Sequence, residues 1–254
     1  MKLIPRRRER PREMTIVEHL AELRTRLVVS AVAIAAGSVV GWFLFEPFLD
    51  MIRKPFCEAL SALPEKAQPP TGCDLVFNGP VEPFMIKLKV VVFIGLLIAL
   101  PILLWQFWLF ITPGLTKKEK RYAVPFIGSS VLLFALGASL AYLTLPLGLQ
   151  FLLGFAGEGF VPLLTASRYI GFFILMTLAF GIAFEFPIIL IFLCVVGIIS
   201  SRQLRSWRRY AVVAVCLLAA VITPSQDPYT LLAMAVPMYL FYEAAILVAR
   251  LLKK

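Results

Sequence analysis

The sequence predicts an all-α polytopic membrane protein. Three observations carry that reading. The 254 residues are 60% hydrophobic with a mean hydropathy of +0.88, and only 16% are charged, where a soluble domain carries about 25%. The apolar residues are gathered into runs of about 20, the length a helix needs to cross a hydrocarbon core of roughly 30 Å. The basic residues are sorted between alternate connections, as the positive-inside rule requires.

Six spans follow in order. The first is 27–45. The second is 90–111, with Pro101 inside it and Trp105 and Trp108 near one end. The third, 122–145, is expected to stop near Pro146. The fourth, 169–199, holds one acid, Glu185. The fifth is 210–222, and its 13 residues reach about 20 Å at 1.5 Å per residue. The sixth is 229–249, interrupted by Pro237. The turn between the last two reads TPSQDP. A hairpin this short invites local bilayer thinning or shelter by neighbouring helices. The connections 111–121, 200–209 and 223–228 are short, so the helices they join are expected to be antiparallel neighbours.

Orientation follows from lysine and arginine. The segment through Arg26 carries eight, the 111–121 and 200–209 connections four each, and the C-terminal end three, against six on the other side. Both termini are therefore expected to be cytoplasmic. One membrane domain, 1–254, results. It has a basic tail (1–14), a cytoplasmic amphipathic helix (15–26), outer loops at 46–89 and 146–168, and cytoplasmic loops at 111–121 and 200–209. The net charge of +10 is explained by orientation rather than by nucleic acid. No short apolar core with a small-residue cleavage site occurs in the first 26 residues, so the first span is expected to remain as an anchor. The proximal and distal spans do not match in length or motif, which argues against an inverted-repeat transporter.

Among the four cysteines, Cys57 and Cys73 share the first outer loop. On an oxidising side they can pair; otherwise they are two free thiols. Cys194 and Cys216 lie in spans and read as small hydrophobes. No CxxC or Cys/His cluster suggests a metal.

In TIVEHLAELRTRL (15–27), Thr15 and Glu18 have capping-box spacing. Ile16, Leu20, Leu23 and Leu27 make an apolar stripe, and Glu22 and Arg26 sit one turn apart, in reach of an ion pair. Glu119 lies among bases in TPGLTKKEKRY. Each acid has an ordinary reading as a neutralised surface group. Together they can also hold a guest with two positive charges. Arginine fits best, because its planar fork donates two parallel hydrogen bonds to a carboxylate and does not deprotonate. Glu185 must face other helices or water, or be protonated, since an ionised acid at mid-bilayer costs several kcal/mol, on the order of 3 on insertion scales. It is either a functional group or a hydrogen bond that holds the bundle, and Pro187 beside it frees a backbone carbonyl. Glu243, about two turns from Arg250, reads as structural. Catalysis finds little support: His19 is the single histidine, and neither H-E-x-x-H nor a phosphate-binding GxxxxGK[ST] occurs.

HLAELRTRL (19–27), PILLWQFWLFITPGLTKKEKR (101–121), FGIAFEFPIIL (180–190) and TPSQDPYTLLAMAVPMYLFYE (223–243) together resemble the TatC family, the large polytopic subunit of the twin-arginine protein translocase. The resemblance runs from about residue 15 to 245. It implies a cupped six-helix arrangement with short fifth and sixth helices, in the bacterial cytoplasmic (inner) membrane. It also implies a receptor, not an enzyme, that binds twin-arginine signal peptides of folded cargo, uses the proton gradient and needs no cofactor. The implied partners are small single-span TatA/TatB-type subunits, in an oligomeric complex. Carried over, Glu22, Arg24, Phe110, Pro113 and Glu119 would form the signal-peptide site. Glu185 and Asp227 would make polar contacts to a partner helix. The outer turn departs from the family pattern in having Gln226 before the acid, and the Cys57/Cys73 pair is not part of that pattern. The alternative reading is a proton-coupled secondary transporter using Glu185.

Overall fold

The computed structural model describes residues 16–64, 68–69, 71–111, 123–155, 164–225 and 227–251. These form nine helices: α1 Ile16–Phe43, α2 Phe45–Ser61, α3 Glu82–Ile111, α4 Ala123–Gly154, α5 Ala166–Ala183, α6 Phe186–Val196, α7 Ser201–Ser206, α8 Arg208–Ile222 and α9 Pro228–Leu251. Among the described residues the sole extended pairing is one parallel bridge between Val76 and Thr165.

Among the described residues five segments are long and apolar enough to cross a membrane: Val17–Phe43, Glu82–Ile111, Val124–Gly154, Ala166–Val196 and Pro228–Leu251. Their burial separates rim from centre. In its most apolar window the first is 11% buried, whereas Ala166–Val196 is 56% buried. That central segment packs against α4, α8 and α9. Many large side chains, such as Val32, Leu132 and Leu217, face outward, as lipid-facing surface requires.

α1 lies along α3. The two backbones meet at small residues: a Cβ added to Gly37 would stand 2.6 Å from the Gly95 carbonyl oxygen. Gly41, one turn on, approaches the Val91 carbonyl in the same way. Small residues at four-residue spacing let helices close in lipid, where dispersion replaces the hydrophobic effect as the driving force.

Several sequence expectations are corrected. The 46–89 stretch is not all loop, because α2 occupies its first third and α3 begins at Glu82. α2 buries Ile52, Phe56, Ala59 and Leu60, a helical stripe. Its charged opposite face hid it from a search for apolar runs. The third span does not stop at Pro146; α4 continues to Gly154, so the 146–168 loop is correspondingly shorter. Proline is tolerated inside lipid-embedded helices, where no water competes for the backbone and side-chain hydroxyls compensate. The 200–209 connection contains α7, started by a capping box in which Ser200 and Gln203 satisfy each other. It does not make the fourth and fifth spans close neighbours: α6 packs chiefly on α9, and α5 carries the contact to α8. Only the fifth span is short. α8 has 15 residues and α9 has 24, and Pro237 leaves α9 unbroken. The N-terminal helix runs into the first span as expected, described from Ile16, and Thr15 of its expected capping box lies outside the described residues.

Candidate functional site

Three polar places stand out in an otherwise apolar bundle. The first is where α1 begins and α3 ends. His19, Glu22 and Arg26 share one face of α1, being three and four residues apart. Gln106 and Phe110 share one face of α3. The faces meet: the His19 ring stacks on Phe110 with centroids 4.3 Å apart, and Arg26 Nη1 donates to Gln106 Oε1 at 3.0 Å. The expected Glu22–Arg26 pair is formed, Nη2 to Oε1 at 3.0 Å.

That leaves unused capacity. Glu22 Oε2 and Arg26 Nε are buried and have no hydrogen-bond partner. The carboxylate is held in place through one oxygen, and its second oxygen remains an acceptor for an N–H donor. An unmatched buried acceptor costs about 1–3 kcal/mol, so a ligand that satisfies it recovers that energy on binding. Of the other residues expected here, Phe110 lies on this face, against His19. Arg24 is exposed, and two residues from Glu22 it points away from this face. Pro113 and Glu119 lie outside the described residues.

The second place is Glu185. It interrupts the fourth span, which is two helices, α5 and α6, rather than one. Glu185 is the N-cap residue of α6 and Pro187 lies in that helix's first turn. Proline needs no donor there. The Glu185 carbonyl accepts from the amides of Ile188 and Ile189 at 3.1 and 3.2 Å. The side chain does not cap. Its Oε1 is buried with no partner. The Ser130 hydroxyl of α4, itself buried, lies beside it without closing a well-formed hydrogen bond.

The third is Asp227, fully buried at the start of α9. Its Oδ1 accepts from the Thr230 amide at 2.9 Å, its Oδ2 from the Thr230 hydroxyl, and Ser225 joins that hydroxyl at 2.6 Å. This is an Asx N-cap followed by proline at the first helical position. A Cβ on Gly148 of α4 would stand 3.0 Å from Oδ2, so α4 closes over it. The carboxylate expected to meet a partner helix is consumed by its own chain as a cap.

Glu243 is structural, but with Arg208 of α8 rather than Arg250: the two side chains form an ion pair. Cys57 and Cys73 are free and half-buried, Cys194 is buried, and Cys216 is exposed rather than packed. Among the described residues no three His, Cys, Asp or Glu side chains gather as metal ligands do. Sequence reading missed Gln106 and Ser130. Gln106 is the lone amide in PILLWQFW, a detectable signal, while Ser130 needed the fold to bring it beside Glu185.

The comparisons with known proteins agree with one another. Residues 18–237 match the family model described as Sec-independent protein translocase protein (TatC). The translocase protein TatC of Frankia casuarinae is 43% identical over 92% of this chain, which spans 65% of that longer protein. The TatC of Aquifex aeolicus is 39% identical, with 94% of this chain and 95% of the other covered. A crystal structure of a twin-arginine translocase receptor, TatC, superposes with a TM-score of 0.70 at 37% identity, covering 93% of this chain and all of that one.

Proposed function

The chain belongs to the TatC family of Sec-independent protein translocase proteins, and we propose that within it this protein is the receptor that docks twin-arginine signal peptides of folded cargo. It is a multi-pass protein of the bacterial cytoplasmic membrane and a translocase component rather than an enzyme. The observation that carries the receptor reading is the half-used carboxylate of Glu22, held by Arg26 on a face shared with Gln106 and Phe110. The chain leaves α3 one residue after Phe110 into the 111–121 segment, which supplies Glu119. A cargo arginine would donate to the free oxygen of Glu22 and to Glu119. Its planar fork suits two acceptors, which lysine's single ammonium does not match. The ring of Phe110, already stacked with His19, offers a surface for a guanidinium to lie on.

The rest of the cycle belongs to the same reading. The apolar part of the signal inserts beside the bundle, and small single-span subunits are recruited. Glu185 offers one of them a polar contact inside lipid, supported by its buried, partnerless oxygen. The proton gradient supplies the energy, and the subunits act in an oligomeric complex.

Binding of a labelled twin-arginine signal peptide to the purified protein tests the reading, beside a twin-lysine version and with the Glu22→Gln and Glu119→Ala variants. Binding should fall at least tenfold with lysine and in each variant. Equal binding of both peptides, unchanged in the variants, would overturn it.

A further inference from the structure

We propose that Cys57 and Cys73 are a disulfide site that staples α2 to the segment 71–78 on the outer side of the membrane. The two thiols are near enough for Cys73 to perturb Cys57, and both are free and half-buried. Their neighbours stand in register. Arg53 is one turn before Cys57 on the same face of α2, and Asp74 directly follows Cys73. Arg53 Nη2 binds Asp74 Oδ1 at 2.7 Å. The ion pair and the thiol pair are thus two adjacent rungs between the same two strips of chain.

Both strips are also fixed from elsewhere. The Tyr169 hydroxyl of α5 donates to the Ile52 carbonyl of α2 at 2.6 Å. The Ala166 amide donates to the Val76 carbonyl at 2.8 Å. A bond between the sulfurs would close a ring that runs from α2 to Cys73, through Val76 to the start of α5, and back through Tyr169. The Arg53–Asp74 pair, one turn before Cys57 and one residue after Cys73, keeps the two strips side by side where that bond would form.

The chemistry balances with an external disulfide as oxidant, either a dithiol oxidase of the outer compartment or a small-molecule disulfide. Burial, with the neighbouring Cys73 adding to it, pushes the Cys57 thiol up to about 11, so Cys57 is poorly suited to begin the exchange. The Cys73 thiolate displaces one sulfur of the oxidant and forms a mixed disulfide. Cys57 then attacks Cys73 Sγ, losing its proton, and the oxidant's second sulfur leaves as a thiolate. The chain gives up two electrons and two protons, and the oxidant gains them as two thiols.

The outer placement rests on the reading of both termini as cytoplasmic, and the experiment separates the two claims. Cells are quenched in acid, and the full chain is denatured and labelled with a polyethylene-glycol maleimide, with or without prior reduction. Two labels without reductant, on Cys194 and Cys216, and four with it are expected. In the Cys57→Ser variant three labels are expected without reductant. Four labels on the unreduced wild type overturn the disulfide. So does a reductant-sensitive band at dimer mass, which would mean pairing between copies. A second arm treats intact spheroplasts with a membrane-impermeant phosphine and then an impermeant maleimide. Labelling of Cys57 and Cys73 there supports the outer side. A disulfide that this reagent cannot reach overturns the placement and, with it, the orientation.

Discussion

Arg26 on α1 donates to Gln106 on α3 across 3.0 Å, while the other end of the same guanidinium holds Glu22 one turn back on its own helix at 3.0 Å. Gln106 therefore sets how much of Arg26 is left to compete for Glu22. Replacing Gln106 by leucine frees Nη1 to turn toward the second carboxylate oxygen, which closes the acceptor that a cargo arginine would use. Twin-arginine peptide binding should weaken about fivefold, the equivalent of roughly 1 kcal/mol for one hydrogen bond. A peptide titration of Gln106→Leu checks this; unchanged or tighter binding would mean that Gln106 only joins the two helices.

Glu185 has one oxygen buried without a partner, so a hydrogen bond is what the site lacks. Glu185→Gln keeps an acceptor and adds donors, and should retain the small single-span subunits on co-purification. Glu185→Leu should lose them. Loss with glutamine as well would show that the charge is required.

Asp227 behaves as a cap. Asp227→Ala should lower stability by about 1–2 kcal/mol, read as a fall in the detergent melting temperature. Asp227→Asn, which still caps, should stay near wild type in both melting and subunit co-purification. Loss of co-purification in a well-folded Asn variant would contradict a purely capping role.

The Cys57 thiol predicts a pH profile in the reduced protein. With its pKa pushed up to about 11, the reactive thiolate is scarce at neutral pH. Alkylation of the Cys57 peptide, followed by mass spectrometry, should speed up about tenfold per pH unit and level off only near pH 11. A plateau near pH 8–9 would mean an unhindered thiol.

What the sequence made legible follows from the range of each interaction. The spans could be read because apolar runs are local, and the Glu22–Arg26 pair because four residues is one helical turn. α2 was hidden because Glu46, Asp50, Arg53, Lys54 and Glu58 break the apolar run, although Ile52, Phe56, Ala59 and Leu60 keep helical spacing. The Pro146 stop was misplaced because the rule belongs to helices in water. Pro187 hinted at the break beside Glu185. Gln106 against Arg26 and Ser130 against Glu185 are separated by 80 and 55 positions, and only packing brings them together. Asp227 had a local signature, an acid before Pro228 and three residues before Thr230; the resemblance to a partner-contacting acid obscured it.

The length of α8 has a consequence for biogenesis. Fifteen residues give a rod of about 22 Å, short of a roughly 30 Å core, so α8 is a weak candidate to be threaded into lipid alone as it leaves the ribosome. α9 packs directly on it, with the Arg208–Glu243 pair fastening one end and the capped turn at Asp227 the other. The two helices are therefore expected to enter as one hairpin, with α8 held back until α9 has been synthesised. Chains truncated at Ile222 should leave α8 open to protease, while chains reaching Leu251 should not; full protection of α8 in the truncated form would show that it inserts unaided.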